Sequence, residues 1–303
     1  MPEEFSVQEE NISSVVDHCK NCNAIQLCII SPFTPLRLSP GRSITPSFSF
    51  PDEFAIESFV EKVVQKYPEK KERPPLHLTI HSPGGSVSTS YVTSKVLRDT
   101  FNEIVAFVPH IAASGATILA LSCNKLVFGS ISRLTGINPI YYFEDGIMSP
   151  LSMIRSFDKL EEELATKDEK DISYPKKHLL ETITAEELDD ANHTMGLVEQ
   201  YARELMDKSG YSKEKIETIL QNLLYDVDAH EQVFLLDNVK KIGINAIHYK
   251  DDAYYNECWV TSRKWLFNYY LQPSPTHLIK YRFSSSNKKE GKEGKKENEK
   301  NIK

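Results

Sequence analysis

"VPHIAASGATILALSCNKLVFG", residues 108–129, reads as the end of a strand, a turn of small residues, an apolar helix and a second strand. Ser114 stands there between two alanines and a glycine, at the mouth of the helix. A solvent loop would be more polar. A purely structural helix start, where serine is a favoured cap, would not need so little bulk around it. The spacing implies that something approaches Ser114 closely.

Upstream, "PPLHLTIHSPGG" (74–85) alternates as a strand does and ends in a glycine turn. Residues 87–100 read as a helix, "EIVAFVPH" as a strand, 114–123 as a helix and "KLVFG" as a strand. Strands alternating with helices predict a mostly parallel sheet under helical cover. Both motif turns fall at carboxyl ends of strands, where such sheets place ligands. Before them come a helix over about 9–22, the strand "AIQLCIIS", and a loop, 32–51, whose five prolines argue against regular structure. Ile56, Phe59, Val60, Val63, Val64 and Tyr67 recur at helical spacing. The second half reads as helical. Thr184 and Glu187 have capping-box spacing and predict a helix from about 185 to Lys208. Another helix follows around 216–223, then a short one, a stop at Gly243 and a last strand. The aromatic segment 254–270 has no clear place.

The two turns carry the chemistry. Paired glycines at 84 and 85 leave backbone N–H groups unshielded, and such donors can hold a developing oxyanion. Ser114 is placed as a nucleophile, with the amides of Gly85 and Gly115 as the two donors. Losing one such donor typically costs about 3 kcal/mol of barrier.

The order "SPGGSV", "AASGAT", "CNKLVFG" resembles the Clp protease and crotonase superfamily. Within it, "VPHIAASGAT" is most similar to the serine dehydrogenase proteinase family, a relative of the signal peptide peptidase A type. That family has a T/S-P-G-G turn and then a V-P-H-Y-A-M-S-G-G-T-like segment. The resemblance covers about residues 10–250 and is strongest over 76–140. It implies a Clp/crotonase-like α/β fold of repeated ββα units with a helical second half. It also implies Ser114 as nucleophile and Gly85 and Gly115 as the oxyanion positions. Ala116 replaces the family's usual second glycine, at a position beyond the donor. The implied domains are a protease domain at 1–250, an aromatic extension at 251–283 and a Lys/Glu-rich tail at 284–303, read as disordered.

The proton acceptor is less clear. No histidine occurs in "RLTGINPIYY", where Clp proteases carry theirs. His230, thirteen residues before Gly243, matches a family histidine in an H-D-Y-P-I-T-like run, with Asp226 and Asp228 near enough to orient it. His193 follows Asp189 by four residues and shares its helix face. Lys176 and Lys177 are lysine candidates, and such a base would need burial. His81 and His110 end strands beside the turns.

The functional expectation is an ATP-independent serine peptidase, since no G-x-x-x-x-G-K-[ST] phosphate loop occurs. A peptide substrate would add as a strand along the glycine turn. The alternatives are a catalytically silent scaffold and an acyl-CoA enzyme, which would turn over a thioester without the serine. Net charge is −7, and the tail's seven lysines and four glutamates leave the rest at −10. That balance argues against nucleic acid as the main partner. A homo-oligomer is expected, without cofactor. No run of about 18 apolar residues predicts a membrane span, and the acidic N-terminus does not read as a signal peptide, so a cytoplasmic location is expected. Five cysteines imply no disulfide framework. Cys19, Cys22 and Cys28 resemble half of a zinc site, but no second pair follows in the sequence, and no metal is assigned.

Overall fold

The computed structural model describes residues 8–9, 22–33, 36–39, 42–44, 47–143, 146–166, 171, 173–176, 178, 184–271 and 277–283. In chain order the elements are β1 (Gln8–Glu9), β2 (Ile25–Ile30), β3 (Leu36–Ser39), β4 (Arg42–Ile44), α1 (Phe50–Lys66), β5 (Leu76–His81) and α2 (Val87–Thr100). Next come β6 (Ile104–Val108), β7 (Ile111–Ala112), α3 (Gly115–Leu121), β8 (Lys125–Phe128), β9 (Arg133–Leu134), β10 (Tyr141–Phe143), β11 (Gly146–Met148) and α4 (Pro150–Thr166). The chain continues through α5 (Ala185–Lys208), α6 (Lys213–Leu220), α7 (Leu236–Lys241), β12 (Ala246–His248), α8 (Ala253–Tyr270) and β13 (Leu278–Arg282).

A seven-stranded sheet of order β1-β13-β2-β5-β6-β8-β12 forms the centre. The pairs from β2 through β12 are parallel, and β13 runs antiparallel to β2. The alternation of β5 shows how the layers arise. Leu76, Leu78 and Ile80 enter the main core with Phe59 and Val63 of α1, Leu97 of α2 and the apolar residues of α3. His77, Thr79 and His81 point to the other face, yet all three are buried. There α8 covers them and supplies partners. Thr79 Oγ1 meets Ser262 Oγ at 2.7 Å, and His81 Nε2 meets the Tyr270 hydroxyl at 2.6 Å. The same helix packs Cys258 and Trp259 on Phe107 and Val127, and Trp265 and Tyr269 on Cys28 and Ile30. This is the place of the aromatic segment 254–270. Strands buried on both faces are what a parallel sheet requires.

Several local signals match the elements found. Thr184 and Glu187 form the reciprocal cap of α5: the Thr184 N–H donates to Glu187 Oε2 at 2.8 Å and the Glu187 N–H to Thr184 Oγ1 at 3.1 Å. The proline-rich loop needs correction. Leu36–Ser39 and Arg42–Ile44 pair as an antiparallel hairpin, and Phe48 bridges to Gly85. The prolines at 35, 40 and 46 lie outside the described residues. Helix α4 was not anticipated. The helix expected over 9–22 falls almost wholly outside the described residues; of its two described ends, Glu9 is in a strand and Cys22 is in no regular element. The tail 284–303 also lies outside them. Among the described residues no helix is long and apolar enough to cross a membrane.

Candidate active site

Two crossovers meet at the carboxyl ends of β5 and β6. The Ser82 N–H donates to Ile111 O at 3.1 Å and the Ala113 N–H to Ser82 O at 3.0 Å, which ties the glycine turn to the serine turn. Gly84 and Gly85 have φ of 106° and 146°, which an L side chain rarely adopts. Space forbids one as well. A β-carbon on Gly84 would lie 2.7 Å from Ser114 Cβ, and one on Gly85 would lie 2.0 Å from Phe48 O. On Gly115 it would meet Ser90 Oγ at 2.5 Å and approach Gly85 N to 3.4 Å. Gly84 is therefore small because the two turns touch, Gly85 because Phe48 lies against it, and Gly115 because Ser90 of α2 does.

Ser114 is the one non-glycine residue of positive φ among the described residues, at φ 52° and ψ −120°. Such a conformation costs on the order of 1–3 kcal/mol and persists only where its surroundings impose it. Here the Ser114 N–H donates to Thr135 Oγ1 at 3.0 Å, and Thr117 Oγ1 donates to Ala112 O at 2.8 Å. The side chain does not cap α3. Its hydroxyl is half-buried and has no hydrogen-bond partner among the described residues, so the simple cap reading fails. The amides of Gly85 and Gly115 likewise donate to no acceptor among the described residues. Phe48 takes only the outer edge of the turn: its N–H donates to Gly84 O at 2.8 Å and its O accepts from Ser86 N at 2.9 Å.

The candidate bases stand in different settings. A ribbon of bridges runs from Ser82 to Ala112, from Ala112 to Leu134 and from Leu134 to Phe234, and His230 lies four residues before Phe234. The Nδ1 of His230 is buried without a hydrogen-bond partner among the described residues. Burial lowers its pKa from the ordinary value, and the Asn138 carbonyl opposes that in part. Asp226 does not orient the ring: it accepts from Gln221 Nε2 at 2.7 Å. Asp228 is exposed, and its N–H donates to Gln232 Oε1 at 2.9 Å. Thr135, not singled out in the sequence, accepts the Ser114 N–H, and its signal there is no more than a polar residue in an apolar run. His193 and Asp189 sit 3.3 Å apart as an exposed pair on α5, each about three quarters exposed (76% and 74%). Lys176 is held in an ion pair by Glu163 and is partly exposed; Lys177 lies outside the described residues.

Residues 52–256 match the family model described as ClpP-like SDH-type serine proteinase, more than half of the chain. The chain belongs to that family. Two uncharacterized proteins of Methanocaldococcus jannaschii are also similar. One is 35% identical over 65 residues, 22% of this chain and 23% of its own length. The other is 21% identical over 184 residues, 61% of this chain and 56% of its own length. The chain thus spans less than two thirds of the length of either relative.

In this member of the ClpP-like SDH-type serine proteinase family, two further histidines lie beside the turns. The rings of His81 and His110 stand 5.4 Å apart. Burial above all, then repulsion from a proton on neighbouring His110 and from Arg133, holds His81 down to about 3. Burial and Arg133 lower His110 as well, and Arg133 Nη1 lies 3.3 Å from His110 Nε2. Both are kept neutral at the strand ends.

Proposed function

We propose that the chain is a serine endopeptidase in which the Ser114 hydroxyl attacks the scissile carbonyl. The N–H groups of Gly85 and Gly115 hold the resulting oxyanion. The observation that carries this reading is the pairing of two unengaged amides with a strained, non-capping serine between their turns. Neutral His230 is the proposed acceptor of the serine proton. Its buried Nδ1 has no hydrogen-bond partner among the described residues, and in the tautomer protonated at Nε2 that nitrogen carries the lone pair a base needs. The bridged ribbon supports its nearness to Ser114. The substrate peptide would run along the inner edge of the glycine turn, since Phe48 occupies the outer one. The strand–short strand–helix succession β6-β7-α3 supports the ββα repeat of the Clp/crotonase type. We take residues 1–250 as the protease domain, with 251–283 closing the sheet from outside it. Assembly into a homo-oligomer belongs to the same reading.

A fluorophosphonate probe tests it, because only an activated serine reacts. Labelling at Ser114 in the native chain is expected. It should be lost in Ser114→Ala and fall by at least about 100-fold in His230→Gln, the usual scale of general base catalysis. Labelling elsewhere, or none, removes the peptidase reading. One observation favours the silent-scaffold alternative: no titratable side chain among the described residues hydrogen-bonds to Ser114 Oγ. That alternative expects an unlabelled, folded chain.

A further inference from the structure

Beneath α8, near the amino end of β5 and opposite the end that carries Ser114, three soft or borderline ligands converge. Cys22 precedes β2, His77 is the second residue of β5, and Cys258 lies in α8. One donor atom from each falls within 4.8 Å of the other two. We propose that Cys22 Sγ, His77 Nδ1 and Cys258 Sγ bind a zinc ion, with water in the fourth position of its tetrahedron.

The spacing fits the ion. With Zn–S about 2.3 Å and Zn–N about 2.05 Å, a tetrahedral site sets sulfur and nitrogen about 3.6 Å apart and two sulfurs about 3.8 Å apart. Cys22 Sγ lies 3.5 Å from His77 Nδ1. The largest separation in the trio needs to close by only about 1 Å to meet the tetrahedral edge. The surroundings fit as well. The other nitrogen of His77, Nε2, lies 3.4 Å from the Tyr254 hydroxyl, and Gln26 Nε2 points at Cys22 Sγ from 3.8 Å. A metal-bound histidine commonly gives its second N–H to such a partner, which fixes the ring and its tautomer. Phe107 packs 5.1 Å from the His77 ring and makes the pocket apolar. Two thiolates neutralise one Zn²⁺, so the ion enters this pocket without net charge. Binding converts two thiols to thiolates and releases two protons.

The sequence alone concealed the set, because its members lie 55 and 181 positions apart. Cys19 precedes Cys22 at C-x-x-C spacing, but it lies outside the described residues and the proposal does not rest on it. The role is a staple: the ion would join the segment before β2, the sheet and α8 at one point.

The full chain, purified reduced and without chelator, is analysed for metal. About one zinc per chain is expected, and Cys123→Ala, a buried cysteine elsewhere, should retain it. Cys22→Ser and Cys258→Ser should lose it. Cobalt added to the metal-stripped chain should give a thiolate-to-cobalt charge-transfer band and the intense visible bands of tetrahedral cobalt. Because cysteine variants at a buried site can misfold, Tyr254→Phe provides the second measure. It keeps the packing and should weaken zinc binding by about 10–100-fold, the usual effect of losing such a partner. A folded, reduced native chain that takes up neither zinc nor cobalt at this site overturns the proposal. So does a Cys22–Cys258 disulfide in the chain as purified, seen by mass spectrometry. Neither result bears on Ser114 labelling.

Discussion

At Ser114 the backbone works against its residue type. A serine at φ 52° is strained, whereas glycine reaches that conformation freely. In regular structure glycine is less stable than alanine by about 0.5–1 kcal/mol. Here the order should invert: Ser114→Gly is expected to be more stable than Ser114→Ala by about 1 kcal/mol or more, with both unreactive. Urea denaturation of the two variants measures it, and equal stabilities would mean that the turn is unstrained. Gly115→Ala tests the packing of the serine turn on α2, because its new methyl would press on Ser90 Oγ. Labelling should drop in that variant and recover in Gly115→Ala/Ser90→Ala, since the amide itself is unchanged. If the double variant stays silent, the clash with Ser90 is not the cause. For His230 the sign follows from burial. Its pKa is lowered, so it stays neutral and able to accept a proton below the ordinary histidine value of 6.5. The acid limb of labelling rate against pH should fall below 6.5; a midpoint above it would exclude His230 as the base. Ser114 and the glycines were legible because close approach restricts side-chain size, and size is written in the sequence. The part of Thr135 was not, because its hydrogen bond to the Ser114 N–H joins residues 21 positions apart that only the fold brings together.

Among the elements, α5 was readable from its cap and α8 was not readable from anything local. Capping is a contact between residues three apart, so its signal survives in a short window. The docking of α8 depends on polar residues that look solvent-facing in "LHLTIH", until a helix from the far end of the chain covers them. Thr79 and Ser262 test that cover. They form a buried hydroxyl pair 2.7 Å apart. Thr79→Val or Ser262→Ala alone leaves one hydroxyl buried and unpaired, and each should cost about 1–3 kcal/mol. The double variant should lose clearly less than the sum, because both polar groups are then gone. Strict additivity in denaturant melts would show that the pair is not coupled. The hairpin of Leu36–Ser39 and Arg42–Ile44 was hidden for the opposite reason: prolines usually end strands, and the five in this stretch of sequence masked its strand pattern.

The whole molecule closes its sheet with chain from beyond residue 250, since α8 roofs one face and β13 pairs along the length of β2. Acid should therefore act on the molecule through that roof. His81 is fully buried between β5 and α8, bonded through Nε2 to Tyr270 and facing His110 and Arg133, with Nδ1 lacking a partner among the described residues. Its pKa falls from 6.5 to about 3 on folding, so the unfolded chain binds a proton there that the folded chain refuses. The stability this contributes is fully present above pH 6.5 and is lost as pH falls from 6.5 toward 3. The slope should approach about 1.4 kcal/mol per pH unit within that window. His81→Gln keeps an amide to meet the Tyr270 hydroxyl but takes up no proton. That variant should be somewhat less stable than the native chain at pH 8 and markedly less sensitive to acid, so that the two stability curves converge as pH drops toward 4. Parallel curves over that range would show that acid unfolding starts elsewhere than under α8.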